Sequence, residues 1–276
     1  MGVIRQFRFF FALSPLISIF SAFLAVKNYS LSQLFLVTLS FILVHGFVSS
    51  VNNAYDVETD QSSLLMKTEN SIVTGSLSFR GAQIMNLILA ITSVVVGVFA
   101  GPYWTGLPIV AIILVVLYDL KPFRLKDRPL GFLVAPIQQS LPFLFSYAAA
   151  TSSFALSLWN LSVFTFLYFN GVLVARYLPD MEFDLKLGIR NFSTAYGAEA
   201  TRRFEIAAMA LKATIYMVGV VLGVLSPIGL PLLLVSVTLQ ARVLALGVEA
   251  LKNPINFRRF AIASIPNTAS IALSMI

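Results

Sequence analysis

Cysteine is absent from this 276-residue chain, and histidine occurs once, as His45. The first absence removes disulfide scaffolds, thiolate zinc sites and cysteine nucleophiles. The second removes any multi-histidine metal cage. Charge is also scarce: Asp, Glu, Lys and Arg make up 11% of the residues, against about 25% in ordinary soluble domains. Hydrophobic residues take their place, at 58% with a mean hydropathy of +0.87. That balance excludes an ordinary globular domain and implies a polytopic membrane protein. In so apolar a chain, the net charge of +7 reads as loop charge that sets membrane orientation, and no nucleic-acid partner is expected.

A crossing takes about 20 residues. The apolar stretches accordingly predict nine helices over 9–26, 33–51, 80–99, 104–120, 131–150, 156–177, 204–225, 228–248 and 258–276. The expected fold class is all-α, with residues 1–276 forming a single transmembrane domain. Arg5 and Arg8 precede the first stretch with no small-residue cleavage signature, so a removable signal peptide is not expected. Nine spans alternate two sets of loops. Sixteen of the 19 Lys and Arg residues fall at the N-terminus and in or beside the loops near 52–79, 121–130, 178–203 and 249–258. Lys27 stands alone on the other side, and Lys212 and Arg242 fall within spans. The positive-inside rule then puts the N-terminus and the long loops in the cytoplasm, with the protein in the cell membrane.

All twelve acids lie on that same face or at helix ends beside it, an asymmetry the orientation rule does not require. Six of them fall in two short windows, Asp56-Val57-Glu58-Thr59-Asp60 after the second span and Asp180-Met181-Glu182-Phe183-Asp184 after the sixth. Helical continuation of each span would align Asn52, Asp56 and Asp60 on one stripe and Asp180 and Asp184 on another. Glu58 and Glu182 would face away. Each stripe is self-repulsive near a low-dielectric bilayer unless a cation sits between its oxygens. Oxygen donors without nitrogen or sulfur suit Mg²⁺, which is held by one or two carboxylates together with substrate phosphates. The expected arrangement is two facing acid stripes, two Mg²⁺ ions and a phosphate-bearing ligand. Equivalent motifs four spans apart further suggest a four-helix unit used twice, with a ninth helix added.

A diphosphate needs cations beyond the metals. The loop after the fourth span supplies Lys121, Arg124, Lys126 and Arg128. Lys121 and Arg124 come first and are expected to turn inward, the arginine as a planar fork and the lysine as a point charge. Lys67 and Asn70, in the loop after the first stripe, and Arg8, at the entrance to the first span, are further candidates. Basic cytoplasmic loops are also what topology alone would produce. His45, seven residues before Asn52, reads as a hydrogen-bonded packing residue.

Taken together, these motifs resemble the UbiA-type intramembrane prenyltransferase superfamily. Asn52, Asp56 and Asp60 match its N-x-x-x-D-x-x-x-D signature, and Asp180 and Asp184 its D-x-x-x-D. The Tyr118–Lys126 segment, the Gly188–Thr194 stretch and Val73–Ser78 resemble further family segments. Asn53 stands where many members have aspartate, Lys67-Thr68-Glu69-Asn70-Ser71 replaces a basic N-R-P sequence, and Asp119 replaces a frequent serine. The resemblance implies two four-helix sets around a cavity capped by cytoplasmic loops. It also implies Mg²⁺-dependent transfer of an isoprenyl group from its diphosphate. Asn52, Asp56 and Asp60 would hold one Mg²⁺, and Asp180 and Asp184 a second. Lys67, Asn70, Lys121, Arg124, Arg8 and Tyr118 would serve the diphosphate. The expected acceptor is aromatic, a phenolic acid or quinone precursor, with a glycerol-phosphate ether lipid as the alternative. A divalent-cation transporter is the competing class. Transporters place ion sites near the bilayer midplane, whereas Asp56 and Asp60 lie roughly 8–14 Å beyond the second predicted span at 1.5 Å per residue.

Overall fold

Capping and glycine breaks divide the chain into helices, and no strand occurs among the described residues. The computed structural model describes residues 9–26, 29–63, 66–155, 157–170 and 173–274. The first half contains α1 (Phe9–Leu24), α2 (Leu31–Tyr55), the short α3 (Val57–Ser62), α4 (Phe79–Ala100) and α5 (Pro102–Asp119). The second half contains α6 (Val134–Thr151), α7 (Leu158–Asn170), the short α8 (Met181–Lys186) and α9 (Phe192–Tyr196), α10 (Ala198–Val221) and α11 (Leu230–Ala245). A short α12 (Val248–Lys252), α13 (Pro254–Ile262) and α14 (Ile265–Leu273) follow. Ser30 and Ser78 accept the backbone N–H of Gln33 and Gly81 and so start α2 and α4. Gly101, at φ 114°, allows the reversal between α4 and α5, and Pro102 opens the new helix.

Six stretches among the described residues are long and apolar enough to cross a membrane: α2, α4, α5, α10, residues 158–177 and residues 227–245. They make this an integral membrane protein. The first predicted span shortens to the 16 residues of α1. The last, predicted as one helix over 258–276, is instead split between α13 and α14 around Ala263–Ser264. Outward-facing Leu87, Ile88, Ile91, Val95, Val98 and Phe99 on α4 are exposed, as suits lipid contact. Helix α1 packs on α6 and α14, α2 on α4 and α5, α6 on α7, and α7 on α10. Each half buries its own apolar cluster. One gathers Ile19, Phe23, Phe41 and Trp104, and the other Phe143, Phe166, Tyr216 and Leu233. The halves meet around a cavity of about 410 Å³.

Candidate active site

The first acid motif is not one straight stripe. Helix α2 stops at Asp56, whose backbone (φ −107°, ψ 13°) leaves the helical range and opens α3. Asn52 Nδ2 still reaches Asp56 Oδ2 at 2.8 Å and also donates to Asp119 Oδ1 at 3.0 Å. Asp60 is turned into the protein, where Asn70 Nδ2 donates to its Oδ2 at 2.8 Å. Asn70 also donates to Asn53 O and accepts from Ile72 N. The Asn70 amide is therefore occupied from within and lies outside the cavity lining. It is a strut for Asp60, where the sequence suggested a phosphate ligand.

The second motif repeats the design. Asp180 has nearly the same backbone (φ −106°, ψ 5°) and opens α8, also six residues long. Asp184 Oδ2 accepts from Asn191 Nδ2 at 2.6 Å, so Asn191 stands to Asp184 as Asn70 stands to Asp60. The two motifs touch: Ser63 Oγ, at the end of α3, donates to Asp180 Oδ2 at 3.1 Å. Burial pushes the Asp184 carboxyl up to about 6, reinforced by the charges of Asp180, Asp127 and Asp56 and partly offset by the Asn191 hydrogen bond. Glu58 and Glu182 are exposed and outside the cavity, as their spacing predicts.

The basic loop turns a different lysine inward. Lys121 is exposed, while Lys126 is buried and bridges Asp56 Oδ1 and Asp119 Oδ1, the latter at 2.8 Å. Arg124 adopts a left-handed backbone (φ 37°) that reverses the chain after α5. Gly131 then packs directly on the loop, since a Cβ there would come within 1.9 Å of Leu125 O. This reversal carries Lys126 under the acids and leaves Lys121 outside. Arg124 donates to Asp127 Oδ2 at 2.5 Å and to Tyr55 O at 3.2 Å, and it reaches Asp56 Oδ1 at 3.5 Å. Burial alone would lower the Lys126 pKa, but Asp56 and Asp119 outweigh it and hold the ammonium above its ordinary value. Lys67 is exposed and outside the cavity lining. Arg8 lies outside the described residues.

Below the mouth, Phe41, Val44, Val48, Leu107, Ala111 and Pro142 make the cavity walls apolar. His45 lines it two helical turns below Asn52, with Ser49 Oγ 3.5 Å from its Nε2. Tyr118 also lines the cavity, and its hydroxyl accepts from Arg176 Nη2 at 3.0 Å. Arg176 and Asp119 are two cavity residues that the motif reading passed over. Arg176 was hidden among residues whose charge the topology rule already explained, and Asp119 stood outside both acid windows.

The donor set suits a hard divalent cation. Among the described residues six carboxylates line the cavity (Asp56, Asp60, Asp119, Asp127, Asp180 and Asp184) against three cations, Arg124, Lys126 and Arg176. Among the described residues no three acid or histidine side chains converge into a preformed cage. Mg²⁺ takes one or two carboxylates and completes its shell with phosphate oxygens and water.

Fold and site thus define an all-α intramembrane protein with paired aspartate motifs over an apolar cavity. The chain belongs to the UbiA prenyltransferase family, which matches residues 13–264. A UbiA homologue from Archaeoglobus fulgidus bound to DMAPP and Mg²⁺ superposes with a TM-score of 0.73 at 17% identity, covering 99% of this chain and 100% of that one. The structure of a digeranylgeranylglyceryl phosphate synthase gives 0.67 at 18% identity, covering 97% of each chain. The probable homogentisate phytyltransferase 2 of Oryza sativa subsp. japonica is 28% identical over 163 residues, which are 55% of this chain and 42% of the rice protein. The chain thus spans about two fifths of the length of that curated relative.

Proposed function

We propose that the protein transfers an isoprenyl group from its diphosphate to an aromatic acceptor inside the membrane. The observation that carries this reading is the juxtaposition of the two aspartate motifs, bridged by Ser63 and Asp180, over a cavity with apolar walls. Asn52, Asp56 and Asp60 would hold one Mg²⁺, and Asp180 and Asp184 a second. When bound, the metal supplies Lewis-acid neutralisation of the diphosphate leaving group.

Lys126 and Arg124 stand beside Asp56 on the same rim and bind phosphate oxygens there, while the apolar walls take the isoprenyl tail. The allylic C–O bond breaks with its electron pair leaving on the diphosphate oxygen. The aromatic ring donates a pair to the allylic carbon, a C–C bond forms, and the ring proton passes to water at the mouth. The dry walls keep water from the allylic cation before the acceptor reaches it. Asn70 and Asn191 hold the Asp60 and Asp184 side chains in place. The rice relative is named for an aromatic acceptor, which supports that class over the glyceryl phosphate lipid in the name of the synthase neighbour. The loop charges support a cytoplasmic mouth.

The test is incubation of purified protein with isoprenyl diphosphates of several lengths and phenolic acceptors, with and without Mg²⁺. Prenylated product and diphosphate release are expected to vanish with chelator and in Asp56→Asn and Asp180→Asn. Full transfer by both variants would overturn the site. Mg²⁺ flux into liposomes without diphosphate dependence would favour a transporter.

A further inference from the structure

Arg176 differs from the other cavity cations in what it touches. Lys126 and Arg124 pair with carboxylates. Arg176 makes no ion pair among the described residues. Its Nη2 donates to the hydroxyls of Tyr118 at 3.0 Å and Tyr177 at 2.8 Å. Its guanidinium lies 5.9 Å and 4.9 Å from the centres of those rings. Its Nε is buried with no hydrogen-bond partner. Glu205, on the neighbouring helix α10, is taken up by the backbone N–H groups of Leu173, Val174 and Ala175. A second buried donor facing the same cavity, Gln138 Nε2 on α6, also lacks a partner.

Position sets what these donors meet. Arg176 precedes Asp180 by four residues, at the cavity end of the 158–177 stretch, so it lies on the membrane side of the acid rim. In the proposed reaction the diphosphate occupies the rim with Asp56 and Asp180, and the allylic carbon lies below it in the cavity that Arg176 also lines. A fixed guanidinium there opposes a positive charge developing on that carbon, and the low dielectric strengthens the opposition. An anion seated on the guanidinium removes it. Buried donors left open are costly, and an acceptor carrying anionic oxygens satisfies both Arg176 Nε and Gln138 Nε2.

We infer that Arg176, with Gln138 in the same cavity lining, is the anchor for an anionic group on the acceptor, a carboxylate or a phosphate. Seating that group relieves the repulsion that otherwise holds back ionisation. The inference rests on the prenyl-transfer reading and names its acceptor chemistry. It couples bond breaking to acceptor arrival, so that the diphosphate is not lost to water while the acceptor is missing.

The test compares wild type, Arg176→Gln and Arg176→Lys with Mg²⁺ and an isoprenyl diphosphate. The probes are homogentisate, its methyl ester and geranylgeranylglyceryl phosphate, with product and diphosphate release measured separately. Wild type is expected to use an anionic acceptor and to reject the ester. The homogentisate and glycerol-phosphate arms tell carboxylate from phosphate. In Arg176→Gln, kcat/KM for the anionic acceptor is expected to fall about 10- to 100-fold, the loss of one charged hydrogen-bonding partner. Its preference over the ester collapses, and acceptor-independent diphosphate release rises. The KM for isoprenyl diphosphate stays within about twofold, which also shows that the variant is folded. Arg176→Lys restores part of the preference. Equal use of acid and ester by wild type overturns the inference. So does an Arg176→Gln defect confined to the KM for isoprenyl diphosphate. No diphosphate release from wild type with any acceptor overturns the prenyl-transfer reading itself, a different result from either.

Discussion

Asp56 and Asp180 occupy matching backbone positions in the two halves, each ending a helical run and opening a six-residue helix, yet the contacts they make differ: Asp56 meets Lys126 and Arg124, whereas Asp180 accepts from the Ser63 hydroxyl. Lys126 and Arg124 neutralise the first motif from the neighbouring loop. The second motif has Ser63 at Asp180 and the Asn191 amide at Asp184, and burial, reinforced by neighbouring carboxylates and partly offset by that amide, raises the Asp184 pKa. The first half of the mouth thus draws counter-charge from its own loop. In the proposed reaction, phosphate oxygens belong nearest Lys126 and Arg124.

The strongest way to break this comparison is Lys126→Met. It leaves Asp56 and the buried Asp119 without the cation they share. Diphosphate release is expected to fall on the order of 100- to 1,000-fold, the scale of losing one charge-stabilising group. A small effect would mean that the first half does not depend on its lysine. Next comes Asn191→Ala, which frees the Asp184 carboxylate; activity is expected to drop about 10- to 100-fold, as for other residues that orient metal ligands. Asn70→Ala is expected to match that loss and also to lower the thermal midpoint, because Asn70 additionally holds Asn53 O and Ile72 N.

A smaller effect concerns pH. The folded-state pKa of Asp184 is about 6, above its ordinary 3.8, so between those values the folded protein binds more protons than the unfolded chain. Metal-free protein is therefore expected to gain stability as pH falls from 7 toward 5. Thermal unfolding of wild type and Asp184→Asn in detergent with chelator checks this: the variant should lack that part of the gain. An identical pH response in both would remove the asymmetry from the second half. Smallest of all, Lys121→Ala and Lys67→Ala are expected to change activity by less than about twofold, the usual result for surface positions away from a site. A tenfold loss at Lys121 would move the phosphate to the outer loop.

Much of the helical frame and the acid pair was legible in the chain. Six of the apolar stretches coincide with membrane-length helical stretches among the described residues, because hydropathy over about 20 residues reports burial in lipid directly. Asp56 and Asp180 stood out because carboxylates are rare here and their spacing repeats. The inward lysine did not stand out. Four cations share the 121–128 segment, and their order along it does not reveal that Arg124 turns left-handed and Gly131 closes over Leu125. Asn70 looked like a phosphate donor for the same reason, since an amide's partners are invisible until the loop folds back on α2. The break in the final span was equally hidden, because Ala263 and Ser264 carry no strong stop signal.

By itself, then, the amino-acid order determined a membrane-embedded helical protein, its scarce carboxylates and their repeated spacing. These are properties of composition and of residues four apart. Only the tertiary structure decided which cations meet those carboxylates and which one stays unpaired. Lys126 reaches Asp56 across 70 positions, Ser63 reaches Asp180 across 117, and Arg176 reaches Tyr118 across 58. Electrostatic pairing in a low-dielectric mouth depends on distance in space and on burial. Neither is encoded in local spacing.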